Sequence, residues 1–173
     1  MKFAKLLANM LFYLSRIASL LYGLVGLYVG CILLLSGVTS DLPLEIRDGG
    51  FTIFYPFTRT PFFLGDYNQS FITTTLIAIF IYALFLWLLS EVFNAFRAVR
   101  LFTRQNVLRL WRFCMLNLAA PVLGILFLVI IGQSYSNAIM VALLHILLGV
   151  FTFFMVAIFK QGLELQEEQD LTL

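Results

Sequence analysis

Residues 96–112 read FRAVRLFTRQNVLRLWR. Five of the eleven basic residues of the chain stand here: Arg97, Arg100, Arg104, Arg109 and Arg112. No Asp or Glu dilutes them, and a long apolar run lies on each side. Positive residues collect on the cytoplasmic side of membrane proteins, so this one stretch orients the rest. Thr103 has the side chain of an N-cap, able to accept from the backbone N–H of Gln105 or Asn106. The reading is helix, a tight turn near Leu101-Phe102, then helix: a cytoplasmic elbow over 91–112. On a helical wheel Arg97, Arg100 and Arg104 share a face, while Arg109 and Arg112 form a second patch. Such arginines hold topology and bind lipid phosphate. They also offer a docking surface to a cytoplasmic partner.

Outward from the elbow, the composition fixes the class. The 173 residues are 62% hydrophobic, 12% charged and 16% aromatic. A soluble domain carries about 25% charged residues. The chain reads as one integral membrane domain over 1–173, an all-α protein with four spans at 17–37, 71–90, 113–131 and 138–159. Residues 1–16 place Lys2, Lys5, Asn9 and Arg16 on one narrow arc, as an interfacial helix does. A cleaved signal peptide fits less well, because the apolar run continues to Leu35 with no A-x-A site. In the first span Gly26 and Gly30 form a small-xxx-small pair that lets a neighbouring helix approach. Pro121 is expected to kink the third span.

The outer loop, 38–70, is the one sizeable hydrophilic segment. Leu42, Leu44 and Ile46 alternate with Pro43, Glu45 and Arg47; Asp48-Gly49-Gly50 and then FTIFY follow. This pattern predicts an extracytoplasmic β-hairpin between the first and second spans, with Pro56 and Pro61 ending the pairing. Phe57, Phe62, Phe63 and Tyr67 are expected to form an aromatic belt at the headgroups. Asn68-Gln69-Ser70 matches the glycosylation sequon but abuts the membrane. The last segment, 160–173, is a cytoplasmic tail carrying Glu164, Glu167, Glu168 and Asp170 with Leu171 and Leu173 among them. These leucines give the tail something to bury.

Little in the chain points to catalysis. It has one histidine, His145, and no acidic residue inside a span. Hydrolases and intramembrane proteases need convergent His, Asp, Glu or an activated Ser, so no enzyme and no cofactor are expected. His145 and Cys31 are too few for a metal site. His145 reads as a packing residue that donates to a neighbouring carbonyl. Cys31 and Cys114 fall near opposite membrane faces, too far apart for a disulfide. Glu91, at the inner boundary, is expected to pair with Arg16 or Arg112.

Phe102-Thr103, Asn106 and Leu110 in the elbow, and LQEEQDLTL over 165–173, carry a family resemblance. The chain resembles small bacterial four-span membrane proteins of a domain of unknown function, the DUF2975 type. It departs from that pattern at Arg100-Leu101, where the family has a glycine and a proline. Such proteins are typically encoded beside a small Cro/repressor-type helix-turn-helix regulator. The resemblance implies an inner-membrane protein that senses an envelope signal and controls that regulator. It carries over no binding residues; the basic elbow face of Arg97, Arg100 and Arg104 and the tail residues Glu164, Glu167, Glu168, Asp170, Leu171 and Leu173 are the expected partner-binding set on their charge and apolar pattern. The expected partners are the lipid bilayer, the regulator and further copies of the chain, with no direct contact to nucleic acid. A small transporter or channel subunit is the alternative.

The charge count orients the chain. Lys2, Lys5, Arg16, the five elbow arginines and Lys160 fall on one side; Arg47 and Arg59 fall on the other. Both termini are therefore expected in the cytoplasm. Single cysteines introduced at Thr52 and at Gln105 will label from opposite sides with a membrane-impermeant thiol reagent. Labelling of both from one side overturns this topology.

Overall fold

The computed structural model describes residues 2–36, 39, 42–134 and 136–171, without the side chains of Lys2, Asp170 and Leu171. Its elements are α1 (Lys2–Leu35), β1 (Leu44–Arg47), β2 (Gly50–Phe54), β3 (Pro61–Asp66), α2 (Gln69–Arg97), α3 (Arg104–Ile130) and α4 (Ser136–Leu171). All four helices are long and apolar enough to cross a bilayer, and the chain is a multi-pass membrane protein. Inside a bilayer the backbone has no water to bond, which is why the apolar runs are helical throughout. Helix α1 runs unbroken through Arg16-Ile17, where an interfacial helix was expected to give way to a span. No Gly or Pro stands there to interrupt it. Pro121 lies inside α3, which continues to Ile130.

The chain forms two compact units, and α1 and α2 contribute to both. One unit is Ala18–Ala83. Its three strands form one antiparallel sheet in the order β1-β2-β3. The expected hairpin is present, with Leu44 opposite Ile53 and Arg47 opposite Gly50. Its two-residue loop, Asp48-Gly49, has positive φ at both positions, 52° and 80°. Those are the signs a type I′ turn requires, and they match the right-handed twist of the strands. Pro61 does not end the pairing as expected. It opens a third strand whose register with β2 slips between Ile53 and Phe54. A proline is tolerated at the first residue of an edge strand, where no ladder donor is missed.

Alternation along β2 buries Phe51 and Ile53, which pack with Val29 and Ile32 of α1. Of the four residues expected in an aromatic belt, Phe62 and Phe63 are partly buried in this packing, while Phe57 and Tyr67 are exposed. Phe63 lies against Phe51, Tyr67 meets Phe51 edge-on, and Phe62 sits between Tyr28 and Tyr55. Phe57 alone of the four is fully exposed. The Tyr28 hydroxyl donates to the Phe54 carbonyl at 2.6 Å. The small-residue face of α1 meets α2: Ile79 and Phe80 cover Gly26, and Leu76 lies over Gly30. Ser19 adds a hydrogen bond to the Ala83 carbonyl at 2.7 Å. Asn68 of the sequon caps α2, its side chain accepting from Ser70 N–H at 2.9 Å.

The second unit is the remainder of the described chain. Its main packing is α3 against α4. Leu110, Val156 and Phe159 are buried together there, with Val92, Phe96 and Phe102 around them. Helix α3 ends in a Schellman motif: Gly132 N–H donates to Val129 and Gln133 N–H to Leu128, with Gly132 at φ 67°.

The turn gives a selective test. Gly49→Val places a β-branched side chain at positive φ and should destabilise the sheet by about 1–2 kcal/mol. Gly50 is not at positive φ and meets only ordinary contacts, so Gly50→Val should have the smaller effect. Thermal unfolding in detergent measures both; equal losses remove the turn argument.

Candidate functional site

The elbow is wider than the sequence implied. Helix α2 stops at Arg97, residues 98–103 turn, and α3 starts at Arg104. The three arginines expected on one helical face therefore have three settings. Arg97, at the end of α2, lies with its guanidinium 4.4 Å from the Phe12 ring centre. Arg100 is exposed within the turn, and Arg104 opens α3. Thr103 caps α3 as expected, with φ −134° and its hydroxyl accepting from Asn106 N–H.

Asn106 holds the turn. It is 2% exposed, and its amide donates to the carbonyls of Leu101 at 2.9 Å and Arg100 at 3.3 Å. A turn without helical bonds leaves carbonyls that need donors, and one asparagine supplies them. Its own side-chain oxygen accepts from Arg109 at 2.9 Å. Arg109 then donates from Nε to Glu91 at 2.9 Å. The other Glu91 oxygen takes Arg16, whose guanidinium also stacks 3.6 Å over Trp87. The expected Glu91–Arg16 pair is present, and the second partner is Arg109 in place of Arg112. Arg109 lies one turn nearer the N-terminus of α3. The sequence placed Arg109 only in a basic patch and Asn106 only beside the Thr103 cap, because a helical wheel groups charges without showing where the turn falls.

The tail is an unbroken continuation of α4 to Leu171. Gly162 lies under Phe102: a Cβ there would stand 2.6 Å from the ring. That ring meets Phe159 edge-on at 5.5 Å. Farther out, Arg104 pairs with Glu167 at 3.2 Å, and their side chains are 84% and 49% exposed. Of the expected acidic set, Glu164 is 3.9 Å from Lys160, one turn away on the same helix. Glu168 is exposed. Leu173 and the side chains of Asp170 and Leu171 lie outside the described residues.

A separate polar pair lies between α3 and α4. His145 Nδ1 is 2.8 Å from the side-chain oxygen of Asn117, whose amide donates to the Phe113 carbonyl. An oxygen facing Nδ1 requires the proton on that nitrogen. His145 thus meets a carbonyl as expected, a side-chain one. Phe85 packs edge-on against its ring at 5.1 Å. The buried Cys114 thiol points to the Gly149 carbonyl at 3.4 Å. Among the described residues no group of three metal-ligating side chains converges.

The chain matches no protein-family model, no curated protein and no solved structure.

The elbow network separates two kinds of polar residue. Asn106→Ala strands two backbone carbonyls and should destabilise the protein by about 1–3 kcal/mol. Glu91→Gln, which leaves two half-buried guanidiniums without a counter-charge, should do the same or more. Arg100→Ala, at an exposed position, should stay within about 0.5 kcal/mol. Thermal unfolding in detergent ranks the three; a loss at Arg100 equal to that at Asn106 overturns the assignment.

Proposed function

We propose that the chain is a non-enzymatic protein of a bacterial inner membrane, with both termini in the cytoplasm, that holds a cytoplasmic helix-turn-helix regulator and releases it on an envelope signal. The observation that carries this reading is the exposed Arg104–Glu167 pair between elbow and tail. The base of the tail is fixed by Phe102 and Phe159. Its far part is tied to the elbow through a pair of the kind that contributes about 0–1 kcal/mol. Salt screens such charges beyond about 8 Å. An attachment that weak is exchangeable for the surface of another protein, which is what a switch needs. The charge count supports the orientation, and the resemblance in elbow and tail supports the kind of partner. Residues 38–70 would face the envelope and receive the signal.

Deleting Glu167 to Leu173 should release the regulator without lowering the amount of protein in the membrane. Crosslinked co-purification from native membranes and reporter transcription in the truncated strain measure this. Unchanged binding and unchanged transcription at normal membrane levels leave the tail a solvated end and overturn the reading.

A further inference from the structure

Three arginines and one carboxylate meet at the polar ends of α2 and α3. Glu91 spends one oxygen on Arg16 and the other on Arg109. Arg112 follows Arg109 by three residues, on the same side of α3. Among the described residues no carboxylate lies within ion-pair distance of Arg112. The cluster therefore carries two positive charges more than it has acid to balance. Arg112 is exposed, and an exposed guanidinium at a membrane boundary attracts anionic headgroups.

The place for that anion is a cleft of about 370 Å³ between α2 and α3. Gln105, Arg109 and Arg112 give it donors, and Trp87, Leu88 and Leu108 give it apolar walls; Glu91 also lines it, with its two oxygens already held by Arg16 and Arg109. Guanidiniums match phosphate oxygens in pairs, and an amide adds a further donor. Trp87 is a residue type that settles where hydrocarbon gives way to water. Leu108 and Trp87 stay substantially exposed beside the polar groups. A free phosphate would leave these walls uncovered, whereas an amphiphile fills both parts. A zwitterionic headgroup would bring its own cation toward Arg112.

We propose that this cleft binds the phosphodiester of an anionic phospholipid, with Arg112 and Gln105 on the phosphate and the acyl chains along Leu88 and Leu108. The site is independent of any contact between tail and regulator.

The full chain carrying Trp111→Phe keeps Trp87 as its one tryptophan. In neutral detergent micelles it is titrated with phosphatidylglycerol bearing brominated chains, which quench indole fluorescence on contact, and with the matching phosphatidylcholine. Phosphatidylglycerol should reach half-quenching at a concentration about fivefold lower, the scale of one arginine near an anionic surface. Arg112→Gln should abolish that preference, and Lys160→Gln, at an exposed cation outside the cleft, should keep it. Millimolar inorganic phosphate should leave the quenching unchanged. Equal quenching by the two lipids, or a preference that survives Arg112→Gln, overturns the proposal. So does equal loss in Lys160→Gln, which would mean diffuse attraction, or displacement by inorganic phosphate, which would mean a soluble anion.

Discussion

One carboxylate shared by two guanidiniums is the interaction on which the elbow depends. Glu91 belongs to α2, Arg16 to α1 and Arg109 to α3, so a single side chain ties three helices. Charges in such a setting persist only when paired and hydrogen-bonded. The surroundings meet that condition. Trp87 and Phe12 lie against the Arg16 guanidinium, and Asn94 reaches the second oxygen of Glu91 at 3.5 Å. Arg109 also donates to Asn106, which holds the turn between α2 and α3. The shape of the elbow is thus set by a polar chain that begins on α1.

The α3–α4 seam solves the same problem with neutral groups. In lipid, polar side chains and small residues do much of the helix association, because apolar contact alone gives no advantage over lipid tails. Asn117 and His145 face each other, and Leu118 and Asn117 close over Gly149. Thr152 is buried with its hydroxyl returned to the Leu148 carbonyl of its own helix. Pro121 has no N–H, so the backbone carbonyl of Asn117 lacks its usual helical donor. Backbone irregularity and side-chain pairing thus meet at one residue.

What was legible in the sequence was what short patterns decide. Four apolar runs, the Thr103 cap, the Asp48-Gly49 turn and the glycine face of α1 all act within a few residues or on one helix face. The rest depended on distant neighbours. Pro61 reads as a breaker until β2 is beside it. Phe62 and Phe63 read as headgroup aromatics until a sheet face needs covering. The choice of Arg109 over Arg112 turned on the rotation of α3, which follows from a turn of six residues where the sequence implied a tighter one. The exposed pair of Arg104 with Glu167 joined two segments that sequence charge alone had placed on one side of the membrane.

Helix α4 has one further property, and it is mechanical. Its 36 residues form a rod about 54 Å long at 1.5 Å per residue. With the span at the expected 138–159, the 12 residues from Lys160 to Leu171 run on for about 18 Å. A helix answers a change in hydrocarbon thickness by tilting. A change of about 10° moves the end of the overhang sideways by roughly 3 Å. Because no glycine or proline follows Gly162 in α4, the overhang has no hinge beyond that point to absorb the motion. Glu167 therefore moves with the span and not independently of it.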